Sequence, residues 1–374
     1  MNEDKATRYQ RHKRQAGILS FVWSVALLGG LLWSGWTLTL RAVAEAAARF
    51  GPPSWLAPLS VLVYVVFLSV LDEAGRIVIA FYSGWILERR YGLSTQRLAA
   101  WIVDQAKAFA VGLALAAGAA SIIFWLMRLA PHRWWIGAGF IFAVLIVVLA
   151  NLAPVLLLPL FYRLKPLDRE SLRLRLLALA ERAGARVLGA YEWGLADKTR
   201  KANAALTGIG STRRILVSDT MLAEYSDDEI EVVLAHELAH HVHGDIWKGI
   251  LFESLLVMAG FFFAAQVLSA FGGWFGLRGV GDVAGLPLLL LAVGGLTLLM
   301  LPVAHAMSRA YERNADRFAL DLTRNPGAFI SAMRRLGAQN LAEDHPSKFV
   351  QWFFYSHPPV RERIESAQAF GGGR

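Results

Sequence analysis

The chain has 374 residues, 56% of them hydrophobic and 18% charged, whereas an ordinary soluble protein is about 45–50% apolar and about 25% charged; a water-soluble enzyme is excluded and a polytopic membrane protein is indicated. The net charge of +9 calls for no nucleic acid, because no Lys/Arg block with interleaved aromatics occurs and basic residues anchor membrane proteins at their interfaces. The absence of cysteine excludes disulfides, thiolate nucleophiles and cysteine zinc sites, so any metal must be held by His and carboxylates.

A spanning helix needs about 20 mostly apolar residues. That criterion selects six segments: Gly17–Leu40, Trp55–Leu71, Ala108–Met127, Trp134–Tyr162, Ser254–Leu277 and Gly285–Ser308. The first lacks the early small-residue cleavage pattern of a signal peptide and is expected to remain as an anchor. The second is expected to continue through Ile77–Leu87 as a bent helix, and the fourth to kink or end at Pro154 and Pro159. Asp72, Glu73 and Arg76 interrupt the second span, so they either pair along one helix face or meet a water-filled interior, away from lipid.

Orientation follows the basic residues. Lys5, Arg8, Arg11, Lys13 and Arg14 precede the first span, and Arg89, Arg90 and Arg97 follow the second, whereas the opposite loops hold Arg41, Arg49, Arg128, Arg133 and Arg278. The expected order is a cytoplasmic segment 1–16, four spans in 17–162, a cytoplasmic protease segment 163–247, two spans in 248–308 and a cytoplasmic segment 309–374. The final Gly371–Arg374 reads as a disordered tail or an added remnant.

Segment 163–247 has a soluble pattern: an amphipathic helix near Arg169–Ala185, strands near Val187–Trp193 and Arg214–Ser218, then a helix. Ser226 and Glu229 form a capping box at that helix's start, and Gly244 supplies its stop. Inside it lies His236-Glu237-Leu238-Ala239-His240. Residues four apart share a helix face, so both imidazoles can reach one ion, while Glu237, about 100° away, can approach a metal-bound water without being a ligand. The pattern is expected about 0.01 times by chance in this composition; the alternatives are core histidines or a solvated polar face. His241 and His243 point elsewhere and are expected to face solvent.

A hydrolytic zinc needs three protein ligands and an open position. Directly after the last span, Glu312 and Asp316 lie four apart on one helix face. One carboxylate can bind metal while the other accepts the outer N–H of a ligating His; equally, Glu312 can pair with Arg309 or Arg313 on a solvated face. Asn203–Gly208, before the strand at Arg214, looks like an edge strand onto which a peptide could add by backbone pairing, through Asn203, Ala204, Thr207 and Gly208. Nearby Lys198, Arg200 and Lys201 either attract a C-terminal carboxylate or form a solvated basic loop.

The ordered set Glu88–Ser94, Asn203–Gly208, Arg214–Leu222, HELAH, Glu312–Ala319 and Ser356-His357-Pro358-Pro359 with Glu362-Arg363 resembles the integral-membrane zinc metallopeptidases of the CAAX prenyl protease 1 (type I CAAX endopeptidase) family. The bacterial heat-shock membrane protease is a more distant likeness. The resemblance implies that Glu312 is the third ligand beside His236 and His240 and that one Zn²⁺ is bound per chain. It further implies that Glu237 is the general base, that His357 and Arg363 contact substrate, and that Asp316 orients His236. For His357 the local alternative is a turn residue before two prolines.

The implied architecture is mainly α: a helical membrane protein enclosing a chamber, with a cytoplasmic gluzincin-like α+β zinc domain. Six spans are legible where the eukaryotic relatives have seven. The implied activity is zinc-dependent hydrolysis of extended polypeptides, prenylated or otherwise membrane-associated, in the lipid bilayer, which is the inner (plasma) membrane in a bacterial host. The alternatives are a quality-control protease for misfolded membrane proteins and a non-enzymatic transporter or scaffold with an incidental metal site.

Overall fold

The computed structural model describes residues 4–208 and 213–372. Among the described residues, six helices are long and apolar enough to cross a membrane: Lys5–Trp33, Pro53–Arg90, Leu98–Leu129, Trp134–Leu152, Asp245–Phe275 and Val283–Thr323. They leave large apolar side chains such as Phe140, Leu255 and Leu299 open on their outer faces, a surface that suits lipid and that soluble monomers avoid.

The first apolar run does not form one span to Leu40. The helix begins at Lys5 and ends at Trp33, and Gly35, at φ 75°, turns the chain into a separate helix, Trp36–Ala48. Hydropathy reads straight across this turn, because its apolar flanks continue on both sides of a residue free to adopt the left-handed region. The second span runs through a π-helical stretch, Phe81–Ile86, to Arg90. Within it Asp72 pairs with Arg76 at 3.4 Å and accepts from Ser24 Oγ of the first helix at 2.7 Å. A side chain at Gly75 would meet Trp23 at 2.1 Å, so the close crossing of these two helices depends on that glycine.

The fourth span ends in a π turn, Ala153–Leu157, followed by Leu158–Phe161, where Pro154 and Pro159 withdraw two backbone donors. The fifth long helix starts at Asp245, and the last, Leu286–Thr323, runs unbroken from its apolar to its polar end. The expected divisions at 247/248 and 308/309 therefore fall inside continuous helices, and no linker separates membrane and polar portions there.

The polar portion holds a four-stranded sheet of β1 (Leu164–Pro166), β2 (Gly189–Trp193), β3 (Ala204–Thr207) and β4 (Arg214–Ser218), in the order β1-β2-β4-β3. Only β2 and β4 are parallel. Helix Glu170–Arg182 packs Leu172, Leu176 and Leu179 into a core with Ile215, Val217, Ile230, Leu234, Leu238, Phe329 and Met333. Each such burial stabilises by about 1.5–3 kcal/mol.

Helix Asp227–Val242 is buried on nearly all sides, as expected of a helix apolar around most of its circumference. Its capping box is formed: Ser226 N donates to Glu229 Oε2 at 2.8 Å and Glu229 N to Ser226 Oγ at 3.3 Å. Gly244, at φ 68°, is the one residue between the backbone turn closing this helix at His243 and the fifth long helix. Gly371 and Gly372 complete the last helix, Val360–Gly372, rather than forming a tail; Gly373 and Arg374 lie outside the described residues.

Candidate metal centre

His236 and His240 stand one turn apart on the buried helix, with ring centroids 5.0 Å apart. Facing them from the polar end of the last long helix is Glu312: Oε2 is 3.2 Å from His236 Nε2, and Oε1 is 3.4 Å from His240 Nε2. One ligand atom from each of the three lies within 4.8 Å of the others. Four-coordinate zinc with ligands at about 2.0–2.2 Å has tetrahedral edges of about 3.3–3.6 Å, so the spacing fits.

The outer nitrogens are occupied. His236 Nδ1 lies 2.9 Å from Asp316 Oδ1, and His240 Nδ1 lies 3.1 Å from Asp245 Oδ2. In the tautomer with Nδ1–H turned to the carboxylate, each Nε2 would offer its lone pair to an ion at the shared centre. Asp316 is itself held by two bonds from Arg363, at 2.6 and 2.9 Å, and Asp245 by Lys248 at 2.9 Å. Glu312 Oε2 is buried, and its one polar neighbour among the described residues is His236 Nε2 at 3.2 Å, outside good hydrogen-bond geometry. An unsatisfied buried carboxylate oxygen is costly, and a cation at the centre would satisfy it.

Without an ion the ligand set attracts protons. Burial pushes the His236 imidazole down, but hydrogen bonds to Asp316 and Glu312 outweigh it and raise it to about 9. His240 is likewise raised, with Glu312 and Asp245 opposing its burial.

Glu237 is the residue next to the first ligand. Burial raises its carboxyl above the ordinary range, against the attraction of His236 and His240. It hydrogen-bonds to no described residue and lines a cleft of about 420 Å³ together with His236, Glu312, His357, Arg363, Asn203 and Ala204. His357, on the rim, has Nε2 3.2 Å from Glu312 Oε1.

Arg363 does not stand free beside His357. Its ion pair with Asp316 sets it beside His236, with Nη2 3.2 Å from His236 Nδ1, at the wall of the cleft. Its side chain is only 12% exposed.

The structure brings part of the predicted strand to the site. β3 is an edge strand, and Asn203 and Ala204 face the cleft. Thr207 lies instead in an apolar groove with Ala205, Leu216 and Trp193, and Gly208, at φ 90°, follows the strand end. Asn203 N donates to Ser218 Oγ and its carbonyl accepts from Ser218 N. By antiparallel alternation, the backbone groups turned to the open edge are those of Ala204 and Leu206.

Two of the three basic side chains expected to meet a carboxylate are already neutralised. Lys198 pairs with Asp104 at 2.5 Å and Lys201 with Glu88 at 3.1 Å. Nor do His241 and His243 face solvent freely: both are part-buried, and His243 packs edge-on against Phe318. Neither belongs to the ligand group. Sequence reasoning missed Asp245, whose signal is an acid just past the helix stop, and Asn340, whose side chain bonds both N and O of Ala202 and so pins the start of β3.

Residues 166–370 match peptidase family M48, and residues 2–163 match the CAAX prenyl protease N-terminal region, described as five membrane helices. An uncharacterized metalloprotease of Bacillus subtilis is 30% identical, covering 90% of this chain and 79% of its own. CAAX prenyl protease 1 of Saccharomyces cerevisiae is 25% identical over 96% of this chain and 84% of its own. The crystal structure of S. mikatae Ste24p superposes with a TM-score of 0.86 at 22% identity, covering 97% of this chain and 88% of that one.

Proposed function

Because the chain belongs to peptidase family M48 and is a multi-pass membrane metalloendopeptidase resembling CAAX prenyl protease 1, we propose that it holds one zinc ion per chain on His236, His240 and Glu312 and cuts extended polypeptides by Glu237-assisted hydrolysis. The observation that carries this is the closed ligand set, with both Nδ1 atoms beside carboxylates and Glu312 facing both Nε2 atoms, next to the free carboxylate of Glu237.

When bound, zinc supplies a Lewis acid that acidifies water and polarises the scissile carbonyl. Glu237 takes the proton of the attacking water and returns it to the leaving amine nitrogen. His357 offers a donor to the developing oxyanion, an interaction worth about 2.7–4 kcal/mol in other acyl-transfer sites. Asp316, held by Arg363, keeps His236 in its ligating tautomer, and Asp245 does the same for His240. Substrate is held extended along β3, pairing with the outward backbone groups of Ala204 and Leu206.

Backbone pairing is indifferent to side chains, so recognition is broad and a prenyl group is not required. This favours a generalist role, including clearance of misfolded membrane proteins. The zinc domain and N-terminus face the cytoplasm, consistent with the basic residues around the first span, in the plasma membrane of a bacterial host; nucleic acid has no part in the activity. The direct test is metal analysis of purified protein combined with peptide cleavage by wild type and Glu237→Gln. A metal-free active protein, or an active Glu237→Gln, overturns the reading.

A further inference from the structure

The first helix begins several turns before its apolar run, and four polar residues on those turns have no part in the chemistry above. They form two adjacent stripes, Tyr9 with Lys13 and Gln10 with Arg14, each spaced i, i+4 and therefore each facing one direction. The first stripe reaches one lip of the cleft. Tyr9 Oη and Lys13 Nζ donate to Glu88 Oε1 at 2.6 and 2.9 Å, and Lys201 Nζ donates to Tyr9 Oη at 2.9 Å. Lys201 stands two residues before Asn203.

The second stripe reaches the other lip. Gln10 Nε2 donates to the Leu341 carbonyl at 2.7 Å, and Arg14 Nη1 donates to Glu343 Oε2 at 2.5 Å and Tyr355 Oη at 2.9 Å. Tyr355 Oη in turn donates to Glu343. Tyr355 stands two residues before His357. The carbonyls along this approach are also held: Arg309 donates to those of Gln351 and Tyr355 at 3.0 and 2.6 Å, and His305 Nδ1 lies 2.8 Å from that of Phe353.

Tyr9, Glu88, Arg309 and Glu343 are all at least about nine-tenths buried. Buried ionic and polar networks add little stability over apolar packing of the same volume, because desolvation offsets their attraction; in some proteins they instead fix a unique arrangement. Here the arrangement fixed is the relation between β3 and His357, which lie far apart in sequence and are joined through one helix.

We propose that the first helix is a clasp across the cleft and that Arg14, acting through Glu343 and Tyr355, is a positioning residue for His357. This rests on the reading of His357 as an oxyanion donor. Arg14 touches no ligand and no reacting atom. Its effect passes through the 355–357 segment, where a displacement of about 1 Å can cost up to about 100-fold in rate.

The test uses the full-length purified protein and an unfolded peptide, with Arg14→Gln, Arg14→Lys and Tyr355→Phe each made alone and in a His357→Ala background. Tyr355→Phe removes one oxygen and spares the charge balance, so it reports even if Arg14→Gln inserts poorly. Expected are a fall in kcat of roughly 10- to 100-fold for Arg14→Gln and Tyr355→Phe, little change in KM or metal content, partial recovery in Arg14→Lys, and no further loss when His357 is already alanine. Losses that multiply with that of His357→Ala, or normal kcat in both Arg14→Gln and Tyr355→Phe while His357→Ala is impaired, overturn the clasp. Normal turnover of His357→Ala itself overturns the oxyanion reading, and the clasp with it.

Discussion

His236 Nδ1 and Asp316 Oδ1 lie 2.9 Å apart, and Arg363 donates to both oxygens of that carboxylate. A ligand oriented by a carboxylate that is itself oriented has little freedom to rotate. Glu312→Ala should therefore remove most metal binding, Asp316→Ala should weaken it by about 10–100-fold, and Asp245→Ala should do the same through His240. Competition with a chelating dye measures all three. Equal, full occupancy in Glu312→Ala and wild type would reject Glu312 as a ligand.

Glu237→Gln keeps every ligand and removes the base. It should bind close to one metal ion per chain and lose most proteolysis, by about 10²–10⁴-fold, the usual range for a positioned acid–base group. Single-turnover cleavage with metal quantified on the same sample separates the two quantities, and near wild-type cleavage would show that the proton goes elsewhere.

Metal affinity should rise with pH. The metal-free His236 imidazole is raised to about 9 from an ordinary 6.5, so near neutrality an entering ion must displace a proton. Each displaced proton contributes up to about tenfold in affinity per pH unit, and the rise should flatten above about pH 9. The same raised value gives the metal-free fold a contribution that is complete below about 6.5 and lost as pH rises through about 9. A chelator titration from pH 6 to 9 checks the slope; a flat profile contradicts the proton-loaded site.

Substrate pairing along β3 predicts a positional pattern. Proline tolerates an edge strand where its missing N–H would have faced outward. Ala204→Pro and Leu206→Pro should therefore keep the sheet and the metal while lowering kcat/KM for prenylated and plain peptides alike. Asn203→Pro breaks the internal bond to Ser218 Oγ and should lower thermal stability as well. A strict need for the prenyl group, or full activity in both outward variants, is the contrary result.

Topology is open to a clean labelling experiment, because the chain has no cysteine. Asp168→Cys, in the polar portion, and Arg278→Cys, between the fifth and sixth spans, have well exposed side chains. In intact cells an impermeant maleimide should modify only the second. Modification of both from outside would reverse the proposed sidedness.

Legibility tracked distance along the chain. The HELAH spacing, the capping box and the edge position of Asn203–Gly208 follow from local periodicity and could be read directly. Glu312 and Asp316 were inseparable locally, because residues four apart offer the same face; the resemblance assigned their roles, and the structure places Glu312 at both Nε2 atoms and Asp316 at Nδ1. Asp245 escaped notice because Gly244 breaks the helical phase on which the reasoning depended. The engagement of Arg363 by Asp316, and of Lys198 and Lys201 by Asp104 and Glu88, joins residues that no periodicity relates. The run to Leu40 misled because hydropathy does not register a left-handed glycine.

The unbroken helix that carries Glu312 gives the metal site a mechanical tie to its surroundings. Thirty-eight residues, Pro302 among them, make a helix about 57 Å long, and Glu312 sits about 11 Å beyond its midpoint. Beyond Glu312 the same helix seats Ala319 and Leu320 in the core that holds Leu234, Ala235 and Leu238 beside the two imidazoles, so the carboxylate and the histidines share one packed unit. Spanning helices adjust their tilt to hydrocarbon thickness, and because this one is built into the polar core, such an adjustment carries the ligand set as a unit and leaves its internal spacing unchanged.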